Sequence, residues 1–378
     1  MKKITFLMLV LLLFVTSCGK KAEISVFNNS EVDRVGEVVE LCLCDLPEFD
    51  KDKIVIVDTA GKQVPFQVLY KGNEKPQSLA FQVSLEAGKS TKFFIQEGLP
   101  EQVKAKTFVR FVPERKDDIA WENDKIAFRM YGPALAAENP SNGVDVWHKR
   151  TSELIVDKWY KNDLAGIMSY HEDHGEGLDC YKVAHTLGAG SVAPYLNDSL
   201  YIGNHFNRYK ILDNGPLQSS FVLFYDNIQI GNQKLKSEML ITLKAGTNLN
   251  EVRIKYIGDT TGFQLAAGIY LHDSIQSLNA TVENGFLGYA ENLISQSKKP
   301  EYSGRGYVGV IFPGSVSEVK QVTDHILGLV NYKTGEEFRY FFGAGWSKFG
   351  FSSDQDWFGY LKAQRVAILQ PLELKIFI

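Results

Sequence analysis

The chain has 378 residues, 44% of them hydrophobic and 23% charged, with a formal net charge of -4. That length supports one large core or two smaller ones, and the composition is that of a folded globular protein. No basic block or low-complexity tract occurs, so the electrostatic footprint of a nucleic-acid binder is missing.

The N-terminus reads MKKITFLMLVLLLFVTSCGKK. Two lysines precede an apolar run from Ile4 to Val15, shorter than the roughly 20 residues of a spanning helix. Small residues follow it, so residues 1–17 are expected to be a signal peptide. Val15-Thr16-Ser17-Cys18 resembles the bacterial lipobox, which implies a lipidated Cys18 followed by a linker over residues 18–30. The membrane would then be one partner, through the lipid anchor. Resemblance to known lipoproteins implies sorting to the outer membrane, because Gly19 rather than Asp follows, and the lack of an acidic run resembling an export signal favours its periplasmic face. Setting Cys18 aside, Cys42, Cys44 and Cys180 cannot all pair. Cys42 and Cys44 stand two apart on an expected strand, at the far edge of disulfide reach, so two buried thiols are expected there.

From Glu31 onward, short apolar or alternating runs recur between turn signals, as in KIVIVDTAGKQVPFQVLY and SLAFQVSLEAGKSTKFFIQEG. The stretch LITLKAGTNLNEVRIKY predicts an antiparallel pair about Ala245-Gly246. Residues 153–160, ELIVDKWY, read as a strand, whereas 315–330 and 354–364 read as short helices. The predicted fold class is mainly β, with antiparallel sheets stacked as a sandwich. The polar segment GLPEQVKAKT divides an N-terminal β-sandwich region, 31–103, from a larger β domain, 104–378.

Within the larger domain, Trp121, Trp147 and Tyr131 offer faces for sugar stacking. Glu122, Asp145, Lys149 and Arg150 offer partners for hydroxyls or a carboxylate. In IAFRM, Ile126, Phe128 and Met130 alternate as the inward face of one strand. The densest chemistry lies in YHEDHGEGLDCY (170–181), where glycines punctuate two histidines and four carboxylates. His171, His174 and Tyr181 are candidate acid–base groups, with Glu176 beside them. Asp173, Glu176 and Asp179 are candidate ligands of a divalent metal, calcium or zinc, although their spacing matches no tight signature. In FFGAGWSKFG, the phenylalanines read as a close core crossing, and Trp346 is a candidate for sugar contact.

VPERKDDIAWENDKIAFRMYGPAL, DVWHKR, YHEDHGEGLDCYKV, HTLGAG, NGPL and FFGAGWSKFG together resemble a bacterial family known as domain of unknown function 4861. The resemblance covers Glu31 to the C-terminus. It implies a galactose-mutarotase-like antiparallel β-supersandwich and a place in polysaccharide utilisation, often beside enzymes of uronic-acid glycans. It brings no established mechanism. The function expected is lyase-type β-elimination on uronate-containing oligosaccharides, with His171 or His174 and Tyr181 moving the proton and Arg150 or Lys149 screening the carboxylate. A glycoside hydrolase, a mutarotase-like epimerase and a non-catalytic glycan-binding lipoprotein stay open as alternatives.

Overall fold

A computed structural model describes residues 21–378, apart from 139–142, 260–261, 273 and 275. The expected signal peptide and the lipidation site Cys18 lie outside the described residues. Among those described, no helix is long and apolar enough to cross a membrane.

The N-terminal unit is a sandwich of two antiparallel sheets. One has the order Glu373–Phe377, Lys21–Phe27, Ser90–Glu97, Ile54–Asp58, and the other has Arg34–Cys42, Ser78–Leu85, Phe66–Leu69. Alternating side chains such as Ile24, Val26, Ile56, Phe81 and Ile95 fill the space between them. The unit therefore takes in Lys21–Phe27, within the expected linker, and the last strand of the chain. A boundary of 31–103 omits both. Cys42 and Cys44 form a disulfide, which corrects the expectation of two buried thiols. The strand ends at Cys42, and a 3-10 turn over Leu43–Asp45 draws the two Cα atoms to 5.2 Å, inside disulfide range. Cys180 is free and buried.

The larger unit is built on an eight-stranded antiparallel sheet. Its order is Arg208–Asn214, Gln218–Ile230, Gln233–Lys244, Leu249–Ile257, Glu337–Trp346, Tyr302–Ile311, Phe286–Ile294, Gln276–Thr281. Two five-stranded sheets face it. The first runs Gly177–Asp179, Asp145–Lys149, Ala127–Met130, Asp118–Asn123, Thr107–Val112. The second runs Ser199–Leu200, Ala189–Leu196, Gln264–Tyr270, His325–Asn331, Glu318–Val322. A parallel bridge between Val144 and Gly188 joins them into one layer. All three sheets feed one core, with Trp121, Phe128 and Val146 from the first, Val192 and Leu265 from the second, and Phe221, Ile241 and Phe342 from the large sheet. This is the antiparallel, sandwich-like β architecture expected.

Helix α1 (Val156–Leu164) replaces the strand expected over 153–160, and a hairpin of strands 318–322 and 325–331 replaces the helix expected over 315–330. Helix α2 (Asp354–Leu369) matches the expected helix and runs further. Ser353 caps it by accepting from the Asp356 N–H, and Asp354 and Asp356 complement the positive end of its dipole. Its Trp357 and Leu361 pack on Tyr307, Ile311 and Phe341, on the outer face of the large sheet. Gly345 faces that layer, and a Cβ there would come within 2.6 Å of Phe351. The glycines of FFGAGW thus mark the close crossing expected of them.

Candidate functional site

The strand Asp145–Lys149 positions most of the charged residues picked out in the sequence. Alternation sends Val146 and His148 to one face and Asp145, Trp147 and Lys149 to the other. The second face would ordinarily meet water. Here α1 and the following loop cover it, because Trp147 stacks on Trp159 and Tyr170, at 5.5 and 4.9 Å between ring centroids. Five consecutive residues are buried as a result.

Arg129 is the centre of this buried face, and sequence reasoning passed it over. It pairs across the sheet with Asp145. Its Nε donates to Asp145 at 2.9 Å and its Nη2 to Asp179 at 2.9 Å, with Asp118 3.9 Å away. Rings of Tyr131, Trp147 and Tyr170 lie 5.0–5.7 Å from the guanidinium. Burial pushes the Asp145 carboxyl up to about 7, helped by repulsion from Asp179 and opposed by Arg129. Burial likewise raises Asp179 and Asp118, each to about 6. Three carboxyls around one guanidinium cannot all be charged cheaply, so the cluster shares a proton near neutrality. Oδ1 of Asp179 is buried and accepts no hydrogen bond among the described residues.

Lys149 and Glu122 form a second buried unit. The Lys149 ammonium donates to Glu122 at 2.7 Å and to the Asn123 carbonyl at 2.6 Å. Glu122 also accepts the backbone N–H groups of Ile155 and Val156, where α1 begins. A carboxylate at a helix N-terminus satisfies orphan donors and meets the positive end of the dipole. This tertiary partner is why 153–160 turns into helix despite its strand-like composition. Burial drives Glu122 up and Lys149 down, and each opposes that drift in the other by attraction.

Several expected substrate contacts are therefore core residues. Trp121, Trp147 and Trp346 are at most 1% exposed. Trp121 donates to Asn250 between Phe128 and Phe221, and Trp346 donates to the Ser303 carbonyl. No sugar can stack on rings so enclosed, and Glu122, Asp145 and Lys149 are enclosed with them. Apolar surroundings also keep His148 neutral, with its pKa lowered to about 3 by burial.

The loop of residues 169–179 stands on the outside of this layer. Gly177 holds φ at +126°, and a Cβ there would come within 1.9 Å of the His148 carbonyl, so the chain can press onto its neighbouring strand only as glycine. Arg150 then lies beside the loop, its N–H donating to the Glu176 carbonyl. Asp173 accepts from the N–H groups of Gly175 and Gly177 and carries two cations, Arg150 at 3.2 Å and Lys348 at 3.8 Å. Glu176 pairs with Lys158 at 2.6 Å. Asp173, Glu176 and Asp179 are thus held by four cations, none of which two of them share. The metal triad expected of them is not assembled, and the one grouping of potential ligand atoms among the described residues is Cys42, Cys44 and Asp45, whose sulfurs are bonded to each other.

The loop histidines differ from the buried charges in having an atom to spare. Nδ1 of His171 lies 3.1 Å from the Asp179 carbonyl and 3.7 Å from its carboxylate. A carbonyl can only accept, so Nδ1 carries a proton, and in the neutral ring Nε2 holds the lone pair. His174 directs Nε2 to the Ser169 carbonyl at 3.1 Å, leaving Nδ1. Both side chains are about a third exposed, 34% and 35%. Tyr181 does not join them. It is buried with its hydroxyl unpaired among the described residues, and burial pushes its pKa well above the ordinary phenol value. Its ring lies 4.8 Å from His272 instead. His272 faces acceptors on both nitrogens, Glu291 at 2.9 Å and the Lys182 carbonyl at 2.7 Å. Burial opposes charge on this ring, yet the Glu291 carboxylate outweighs it and raises the pKa. With an acceptor at each nitrogen, this ring has neither one free for proton transfer.

The model of one family, described as a domain of unknown function (DUF4861), matches residues 26–374. The chain belongs to that family. A relative, the uncharacterized protein P7 of Formosa agariphila, is 30% identical over 297 residues, which are 73% of this chain and 74% of the relative. Two solved structures share the fold. One is a protein in the glycosyl hydrolase family 38 from Enterococcus faecalis, with a TM-score of 0.52 at 9% identity, over 95% of this chain and 47% of that one. The other is an alpha-mannosidase from Enterococcus faecalis V583, with a TM-score of 0.53 at 8% identity, over 95% and 46%. This DUF4861 chain spans about half the length of those structures, and at such identities the likeness is one of fold.

Proposed function

We propose that the protein is carbohydrate-active and eliminates across a uronate-containing oligosaccharide at the loop of residues 169–179. One observation carries this reading: His171 is fixed through Nδ1 with Nε2 uncommitted, on the same loop as a carboxylate that gathers two cations. The shared fold with a glycosyl hydrolase family 38 protein and an alpha-mannosidase supports the substrate class. The substrate carboxylate takes Arg150 and Lys348 from Asp173, which neutralises its charge and favours loss of the adjacent C–H proton. His171 Nε2 accepts that proton. The electron pair forms the new carbon–carbon double bond, and the glycosidic oxygen leaves with a proton from water or from His174. Cys18, lipidated once residues 1–17 are removed, would tether the protein at the outer membrane, on its periplasmic face.

The test is incubation with a panel of uronate oligosaccharides, with and without chelator, followed by near-ultraviolet absorbance and chromatography. New unsaturated ends are expected. Shortened sugars without that absorbance would replace elimination by hydrolysis, and loss of product with chelator would add a metal. A second reading is glycan binding without turnover, because the space beside His174, about 20 Å³, is too small to enclose a sugar ring and leaves only surface contact. Saturable binding with no product would establish it.

A further inference from the structure

A cleft of about 240 Å³, lined by none of the residues of that loop, lies on the outer face of the large sheet. Residues 33–38 of the N-terminal sandwich and the last turns of α2 close over its three strands there, 233–244, 249–257 and 337–346. Strand alternation sends Ile241, Val252 and Phe342 to the core and leaves Thr242, Glu251, Arg339 and Phe341 facing the cleft.

Its acids and Arg34 are committed, whereas Arg339 and Lys244 keep donors to spare. One oxygen of Glu251 accepts from Nε of both Arg253 and Arg339, each at 2.8 Å. Glu37 takes Arg34, and Asp33 accepts the Ala87 N–H. Arg339 spends only its Nε in this way, and its guanidinium lies over the Phe341 ring, 4.9 Å from the centroid. The Lys244 ammonium makes one hydrogen bond among the described residues, to the Val38 carbonyl at 3.1 Å. Two cations with spare N–H groups beside an aromatic ring suit a ligand with a carboxylate, hydroxyls and an apolar ring face. The volume is below the roughly 300–1,000 Å³ of pockets that enclose drug-sized ligands, which limits the occupant to about one sugar ring.

We infer that this cleft is a second binding site, for a single sugar acid whose carboxylate is held by Arg339 and Lys244. The ligand would bridge the N-terminal sandwich and the large sheet, and the inference does not depend on the chemistry of the 169–179 loop.

Calorimetric titration of the full chain with glucuronate, glucose and acetate tests it. Saturable one-to-one binding of glucuronate is expected, with glucose and acetate much weaker. Arg339→Gln and Lys244→Gln should each weaken it about tenfold or more, the scale of one charge-assisted hydrogen bond, and His171→Ala should leave it unchanged. Lys244 contacts one backbone carbonyl, so its variant keeps the test open if Arg339→Gln unfolds. Affinity that survives both cleft variants would overturn the site, and loss in His171→Ala would move the sugar to the loop. Acetate binding as tightly as glucuronate would overturn the sugar class, and no saturable binding would end the proposal.

Discussion

The buried face of strand 145–149 and the loop packed over it are equally rich in charge, yet they do different work. On the strand, every ionic group meets partners inside the protein: Lys149 with Glu122, Asp145 and Asp179 with Arg129. On the loop, His171 and His174 each use one nitrogen and keep the other. Charge density alone does not distinguish a site from a scaffold. Uncommitted atoms on partly exposed side chains do, because a buried charge needs a partner to persist, whereas a reacting group needs a free atom that substrate can reach.

The comparison breaks most readily at Glu122. Glu122→Ala strands the Lys149 ammonium in the core and uncaps α1, and should cost about 3–5 kcal/mol in denaturant unfolding. A loss under about 1 kcal/mol would mean that the pair is not structural. Next comes the shared proton of the Arg129 cluster. The folded Asp145 carboxyl titrates near 7, above its unfolded value of 3.8. Its contribution is therefore complete below about pH 4 and is lost as pH rises through 7. Asp145→Asn removes that loss, so its melting temperature relative to wild type should improve from pH 5 to pH 8. A difference that worsens over that range would assign Asp145 a depressed pKa instead. Asp173→Asn should cost only about 1 kcal/mol, the scale of a partly exposed ion pair. By releasing Arg150 and Lys348 it should tighten binding of acidic oligosaccharides at low salt. Unchanged or weaker binding would show that those cations do not receive the substrate carboxylate.

Much of the fold was legible because alternation and turn residues are local signals. The hairpin about Ala245-Gly246 formed as its pattern indicates, strand 233–244 pairing with 249–257. What was not legible depends on distant partners. Strand 21–27 pairs with 373–377, and no local pattern couples the two ends of a chain. Arg129 was missed for a related reason. Once Ile126, Phe128 and Met130 take the inward face, Arg129 reads as solvated, and only the covering helix and loop make it buried. The same covering layer enclosed Trp147 and Lys149, which composition alone offered as ligand contacts. The loop histidines were legible because glycines and polar residues leave no apolar period to bury them.

The most direct test of the account is turnover of uronate oligosaccharides by His171→Ala, measured together with its unfolding free energy. The account predicts a stability loss of only about 1 kcal/mol, as for a partly exposed side chain that gives up one hydrogen bond, and loss of the unsaturated product. Wild-type turnover in that variant would contradict it, because proton transfer would then belong to another group.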